Sequence, residues 1–280
     1  MQFTKMHGAG NDFVIINNMD GEIPEESYSK LALKLCARQT SIGADGLMIV
    51  KKAEKGGDYG MLFYNADGSL GEMCGNGARC IARYGCEKGL AGEVQKIETT
   101  AGLVIGRRLS KRIYKVRLND PSFIDLHRTV KARGKEYDCA YIELGNPSIP
   151  HAVILMPGLE DIDRDELREI GKELRWGPEF PRGANVNFVK LKGKDELKIL
   201  TYERGVEDFT LACGTGSGSS AAALSMLGYV SGNDVLLHNQ GGELYVSLSF
   251  EGDKARDIYL SGPTNLVCEG QILDEDLDLN

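Results

Sequence analysis

The stretch GEMCGNGARC, residues 71–80, places a cysteine among glycines at what reads as the start of a helix. A second stretch, TLACGTGSGS at 210–219, does the same, with Cys74 and Cys213 standing 139 residues apart. Around them the chain is written twice. GNDFVII at 10–16 is answered by GNPSIPHAVI at 145–154, matching Asn11 to Asn146 at an offset of 135. GADGLMIV at 43–50 is answered by GANVNFVKL at 183–191, an offset of 140. LFYNADG at 62–68 is answered by LTYERGV at 200–206, where Tyr64 and Tyr202 differ by 138. TTAGLVIG at 99–106 is answered by NQGGELYV at 239–246, where Gly102 and Gly242 differ by 140. Landmarks kept in one order at a nearly constant offset imply two homologous halves.

Each half predicts the same coarse structure. Runs rich in β-branched and aromatic residues, such as FVIINN, GLMIV, MLFYN, IYKVRL, NFVKL and LKILTY, read as strands. After each CGxG the apolar period becomes helical, in GARCIARYGCEKG and in GSGSSAAALSMLGYV, with Gly89 and Gly232 as C-terminal stops. PEESYSKLALKLCAR and DRDELREIGKELRW supply one further amphipathic helix per half. The expected fold class is α+β, two homologous lobes related by a pseudo-twofold with the active site in the cleft between them. The expected boundaries are 1–122 for the N-terminal lobe and 123–262 for the C-terminal lobe, joined near NDPSFIDL, with a final strand at about 263–280 returning to the first lobe. The acidic end DEDLDLN reads as a solvated tail.

Composition narrows the function classes. The chain has 280 residues and a net charge of -8, which argues against a general nucleic-acid binder, since phosphate is held mainly by Lys and Arg. No apolar run is long enough for a membrane span, and MQFTKMHGAGNDF lacks the layout of a signal peptide. Seven cysteines, an odd number without secretory context, suit a reducing compartment, so a cytoplasmic location is expected. Cys74, Cys80 and Cys86 recur every six residues, a step of about 240° on a helix, so they share no face and make no metal site. Cys36, Cys80 and Cys86 read as small core residues, and Cys139 and Cys268 take no role. His7, His127, His151 and His238 are the only histidines, and none neighbours a CGxG in sequence.

A helix N-terminus presents unpaired N–H groups and a partial positive charge. Glycines there let a carboxylate approach the bare backbone, and the same field favours a thiolate. Two such places at equivalent points of a duplicated chain point to one chemistry. One thiolate removes the proton α to a bound carboxylate, and a second thiol returns a proton to the other face, inverting the carbon. Each positioned acid or base contributes about 10²–10⁴-fold. The weakly acidic α-proton needs the helix-end amides as well, which stabilise charge developing on the carboxylate.

The group MHGAGNDFV, GADGLMIV, FYNADGS with EMCGNGARC, GANVNFV, YERG and ACGTG resembles the diaminopimelate epimerase family over nearly the whole chain. The resemblance implies lobes built as barrel-like sheets around a central helix, and cofactor-independent epimerisation of LL-diaminopimelate to the meso form, for lysine and peptidoglycan synthesis. It implies Cys74 and Cys213 as the acid–base pair, with Gly75, Asn76, Gly214 and Thr215 holding the reacting carboxylate. It further implies that Asn11, Asn65, Asn146, Asn185, Glu203 and Arg204 grip the distal end of a small amino-acid substrate. Arg suits a carboxylate fork, and Glu with amide oxygens suits an ammonium. A homodimer is what the family suggests; no metal and no cofactor are expected.

Other readings of these residues stay open. The asparagines sit in turn contexts that favour Asn for backbone reasons alone, and Glu203 with Arg204 also fits a strand-end charge pair. The chain departs from the family pattern at Ser148, Ile149 and Pro150, which stand between Pro147 and His151, and at Gly46, where some members place a glutamine. Two alternatives follow: a racemase of another amino acid, histidine for example, and a redox-sensing anion-binding protein with a Cys74–Cys213 disulfide.

Overall fold

A computed structural model describes residues 1–71, 75–273, 275 and 277. The fold is α+β and strand-rich. It divides into two compact units, Met1–Val116 with Gly262–Asn280, and Arg117–Ser261.

The first unit opens with β1 (Gln2–Gly8) and β2 (Asn11–Asn17), an antiparallel pair joined through Ala9 and Gly10. Both turn residues have positive φ, 52° and 90°, the twist that a two-residue hairpin needs. Next, β2 lies parallel to β3 (Gly46–Lys51), and α1 (Tyr28–Leu35) lies in the crossover that parallel strands require. An antiparallel partner, β4 (Tyr59–Asn65), then lies parallel to β5 (Val94–Thr99) across a second crossover that holds α2 (Gly75–Glu87). The antiparallel strands β6 (Gly102–Arg108) and β7 (Ile113–Arg117) follow.

The second unit repeats that succession. After β8 (Pro121–Ala132), β9 (Lys135–Leu144) and β10 (Ile149–Leu155) pair antiparallel. β10 is parallel to β11 (Asn185–Gly193), with α3 (Arg164–Arg175) in the crossover. β12 (Glu196–Glu203) pairs antiparallel with β11 and carries a short partner, β13 (Asp208–Phe209). β12 is parallel to β14 (Val235–Asn239), with α4 (Gly214–Met226) in that crossover. β15 (Gly242–Glu251) and β16 (Lys254–Pro263) complete the run. The last strand, β17 (Asn265–Gln271), pairs with β1 of the first unit.

The helices are of two kinds. α1 and α3 bury one stripe each. Leu167, Ile170 and Leu174 of α3 pack on Ala152, Ile154, Val186, Phe188, Leu200 and Tyr202, and each large aliphatic side chain contributes about 1.5–3 kcal/mol by burial. In the first unit Leu31 and Leu35 pack on Val14, Ile16, Leu47, Ile49 and Tyr64. α2 and α4 are buried nearly all round: every residue of α4 from Gly214 to Ser225 is buried. A helix enclosed on all sides needs small residues, and GTGSGSSAAALS supplies them. At Gly218, for example, a Cβ would collide with Leu118. The chain turns after α4 at Gly228, φ 78°, four residues before the glycine expected from sequence, because Gly228 and Tyr229 bond back to the last helical carbonyls.

Among the described residues no helix is long and apolar enough to cross a membrane.

Candidate active site

The face of β10 and β11 opposite α3 sets the character of the second unit. In the first unit the corresponding strands carry Phe13, Ile15 and Met48 on the face away from α1, all buried. In the second unit that face carries His151 and Asn187, both with no exposure, together with Asn185 and Thr201. Asn187 organises them. Its Nδ2 donates to Ala152 O at 3.0 Å and to His151 Nδ1 at 3.3 Å, and its Oδ1 accepts from Thr201 Oγ1 at 2.9 Å. The Ala152 carbonyl identifies the amide nitrogen, so His151 Nδ1 accepts and the ring proton lies on Nε2. Burial, and secondarily the positive Arg204, push the His151 pKa down to about 3, so the imidazole is neutral.

Helix α4 starts above this network. Cys213 is its N-cap, 7% exposed, with extended backbone at φ -111° and ψ 113°. Its Sγ accepts the Gly216 N–H at 3.3 Å and lies 3.6 Å from Thr215 Oγ1. Sulfur therefore stands where a Ser or Asp cap would place oxygen, in the positive field of the helix end. Gly216 cannot take a side chain, since a Cβ there would run into Asn187 Oδ1. Gly214 and Thr215 are buried in the same first turn.

The distal set divides between the units. In the second, Asn185 opens β11, 5% exposed; its Oδ1 accepts the Arg204 N–H at 2.8 Å and its Nδ2 donates to Pro150 O at 3.2 Å. Glu203 ends β12 and accepts from Thr210 Oγ1 at 2.8 Å. Arg204 follows in the tight turn that Gly205 makes at φ 90°. That turn is held by Glu207, which accepts from Gly205 N at 3.1 Å and pairs with the buried Arg175 at 3.2 Å. Asn146 is exposed in the β9–β10 turn, next to the cis Asn146–Pro147 peptide. Asn185, Glu203 and Arg204 are thus brought together, with Asn146 one hairpin away.

In the first unit Asn11 donates to Asp45 Oδ2 at 2.7 Å and accepts from Asn76 Nδ2 at 3.2 Å. Asn76 is fully buried in the first turn of α2, after Gly75, and accepts from Arg79 at 3.0 Å. Asn65 ends β4, opposite Gly46, and donates to Ser69 Oγ at 3.0 Å. Cys74 lies outside the described residues.

One expectation from sequence is changed. Asn11 and Asn146 do not hold matching places: Asn11 is a strand residue paired with Gly8, whereas Asn146 lies within a turn closed by Leu144 and Ile149. Of Ser148, Ile149 and Pro150, only Ser148 lies in the turn, and the other two open β10. Position 46 is closed to a longer side chain, because the Phe63 ring occupies the space a Cβ would need. Sequence reading passed over Asn187 and Thr201 and gave His151 no role in the site. Their signal was polar side chains spaced by two in an otherwise apolar strand, as in Asn185-Val-Asn187.

The sequence pattern described as Diaminopimelate epimerase matches residues 3–110 and 141–267. A diaminopimelate epimerase from Aquifex aeolicus (strain VF5) is 36% identical, covering 99% of this chain and all of the relative. One from Methanothrix thermoacetophila is 39% identical, covering 98% of this chain and 97% of its own. Among solved structures, a hydroxyproline epimerase from Agrobacterium vitis superposes with a TM-score of 0.69 at 18% identity, covering 99% of this chain and 94% of its own. A PhzF-family phenazine biosynthesis protein of Bacillus anthracis gives 0.70 at 16% identity, covering 98% and 99%. At such identities the two structures bear on the fold alone.

Proposed function

The chain belongs to the diaminopimelate epimerase family, and from that premise we propose that it interconverts LL- and meso-diaminopimelate by two-base proton transfer without a cofactor. The observation that carries the reading is Cys213 capping a buried, glycine-rich helix end, with its Sγ accepting the Gly216 N–H at 3.3 Å.

In this reading Cys74 and Cys213 are the acid–base pair. A thiolate at one takes the α-proton, the C–H electron pair passes into the carboxylate as an enediolate-like charge, and the thiol at the other gives its proton to the opposite face. The first-turn amides at Gly75, Asn76, Gly214 and Thr215 receive the carboxylate, and each donor aimed at the developing charge contributes about 3–4 kcal/mol. Cys213 already accepts one such amide, which stabilises the sulfur in its charged form.

Asn185, Glu203 and Arg204 then take the far amino-acid end of the substrate, with Asn146, Asn11 and Asn65 around it. The anchored turn of Arg204 supports this, since it fixes the backbone from which the guanidinium reaches a carboxylate. The enzyme is read as a cytoplasmic homodimer acting on a small molecule, without nucleic acid or membrane.

The test is deuterium entry at Cα in heavy water over a panel of amino acids. Diaminopimelate should exchange fastest. If histidine or another monoamino acid exchanges as fast, the altered β9–β10 turn marks a racemase of different specificity, and the diaminopimelate assignment falls.

A further inference from the structure

The β9–β10 turn, where this chain departs from its family's pattern, is tied down by one carboxylate. Glu143, near the end of β9, accepts from Ser148 Oγ at 2.6 Å and from Arg182 Nη2 at 2.6 Å on Oε2, and from Tyr141 OH at 2.6 Å on Oε1. Arg182 also donates to Ser148 Oγ at 3.0 Å. Ser148 follows Asn146 by two residues, and Arg182 precedes Asn185 by three. The carboxylate therefore links the turn that carries Asn146 to the loop that leads into Asn185.

We propose that Glu143, Ser148 and Arg182 form a clasp that holds Asn146 and Asn185 in one arrangement and so sets how tightly this chain grips the distal end of its substrate. The inference rests on the distal reading given above.

Three features make the clasp more than a surface ion pair. Exposed pairs contribute little because water screens them and two flexible side chains must be ordered. Arg182 is indeed exposed, but the Glu143 side chain is only 16% exposed, and Tyr141, itself buried, approaches it from the core side. Burial alone would raise the Glu143 carboxyl; the bonds from Arg182, Ser148 and Tyr141 outweigh it and hold the pKa at about 2. The clasp stays charged over the whole range in which an enzyme works. Finally, the register Glu143↔Pro150 places the residue whose carbonyl takes Asn185 Nδ2 directly opposite the clasping carboxylate. Turn, clasp and Asn185 are therefore coupled through one strand pair.

Ordering the binding groups before the substrate arrives lowers the cost of binding, and binding that is equal in ground and transition states appears in KM alone. The full-length enzyme is assayed with LL-diaminopimelate as wild type and as Ser148→Ala, Arg182→Gln, Arg182→Lys and Asn146→Ala. For Ser148→Ala and Arg182→Gln the expected result is a KM raised about tenfold with kcat within about twofold, and Arg182→Lys falls between. Deuterium exchange into a monoamino acid, which has no distal end, should not change in these variants. If Asn146→Ala raises KM while the clasp variants stay within twofold of wild type, the clasp is overturned and the distal reading stands. If Asn146→Ala also leaves KM unchanged, the distal reading fails and takes the clasp with it. A parallel fall of kcat and thermal midpoint, without the KM effect, would mean general destabilisation and would overturn it too.

Discussion

Gly216 donates its backbone N–H to Cys213 Sγ at 3.3 Å, and a Cβ on it would run into the Asn187 side-chain oxygen. The residue is squeezed between the sulfur it stabilises and the strand that supports it. Gly216→Ala must displace either the helix start or the Asn187 amide. A cost of about 1–3 kcal/mol in stability is expected from the overpacking. A fall in kcat of about 10²-fold or more is expected from the lost donor geometry. Steady-state kinetics beside a thermal melt decide it, and retention of activity within twofold would refute the role of this amide.

On the proposed two-base scheme Cys213→Ala removes a proton carrier, so turnover should drop by at least about 10²–10⁴-fold. Cys213→Ser is more informative. A serine hydroxyl keeps the cap to Gly216 N, so the fold should be retained, while deuterium wash-in becomes one-sided between the LL and meso substrates. Equal loss of wash-in from both substrates would argue against a two-base scheme. The companion Cys74→Ser should keep wash-in with the other substrate.

Asp163 offers a control remote from the chemistry. Its Oδ1 accepts the N–H groups of Asp165 at 2.9 Å and Glu166 at 3.2 Å, capping α3. Asp163→Ala should cost about 1 kcal/mol of stability and leave kcat and KM unchanged. A large kinetic effect would show that α3 does more than cover the sheet.

The helices were legible in the sequence because their signals are local. The apolar stripe of DRDELREIGKELRW and its leading Asp163 predict α3, and the run of small residues after ACG predicts a helix that other elements can surround. The succession of strands was legible through repetition. What stayed hidden depends on contacts distant in sequence. Asn187 reads as a surface residue until the pairing with β10 and the passage of α4 bury it against His151 and Gly216. Likewise Asn11 and Asn146 look equivalent in sequence, and only strand register shows one in a strand and the other in a turn.

Burying His151 neutral makes stability depend on pH in a calculable direction. Its folded pKa of about 3 lies below the ordinary 6.5, so between these values the unfolded chain binds a proton that the folded chain does not. Stability from this group is fully present above about pH 6.5 and declines as pH falls toward 3, by up to roughly 1.4 kcal/mol per pH unit. Asp12 and Glu143, both held at about 2, lose their contribution only further into acid. The window from pH 6.5 to 5 therefore reports mainly on His151. In His151→Gln, which cannot titrate, the thermal midpoint should be lower at pH 7.5, because the imidazole packing and the bond from Asn187 are lost. It should also be nearly flat between pH 6.5 and 5, where the wild type falls. A wild-type midpoint that is flat across the same window would mean that His151 titrates normally, and the buried neutral imidazole would have to be abandoned.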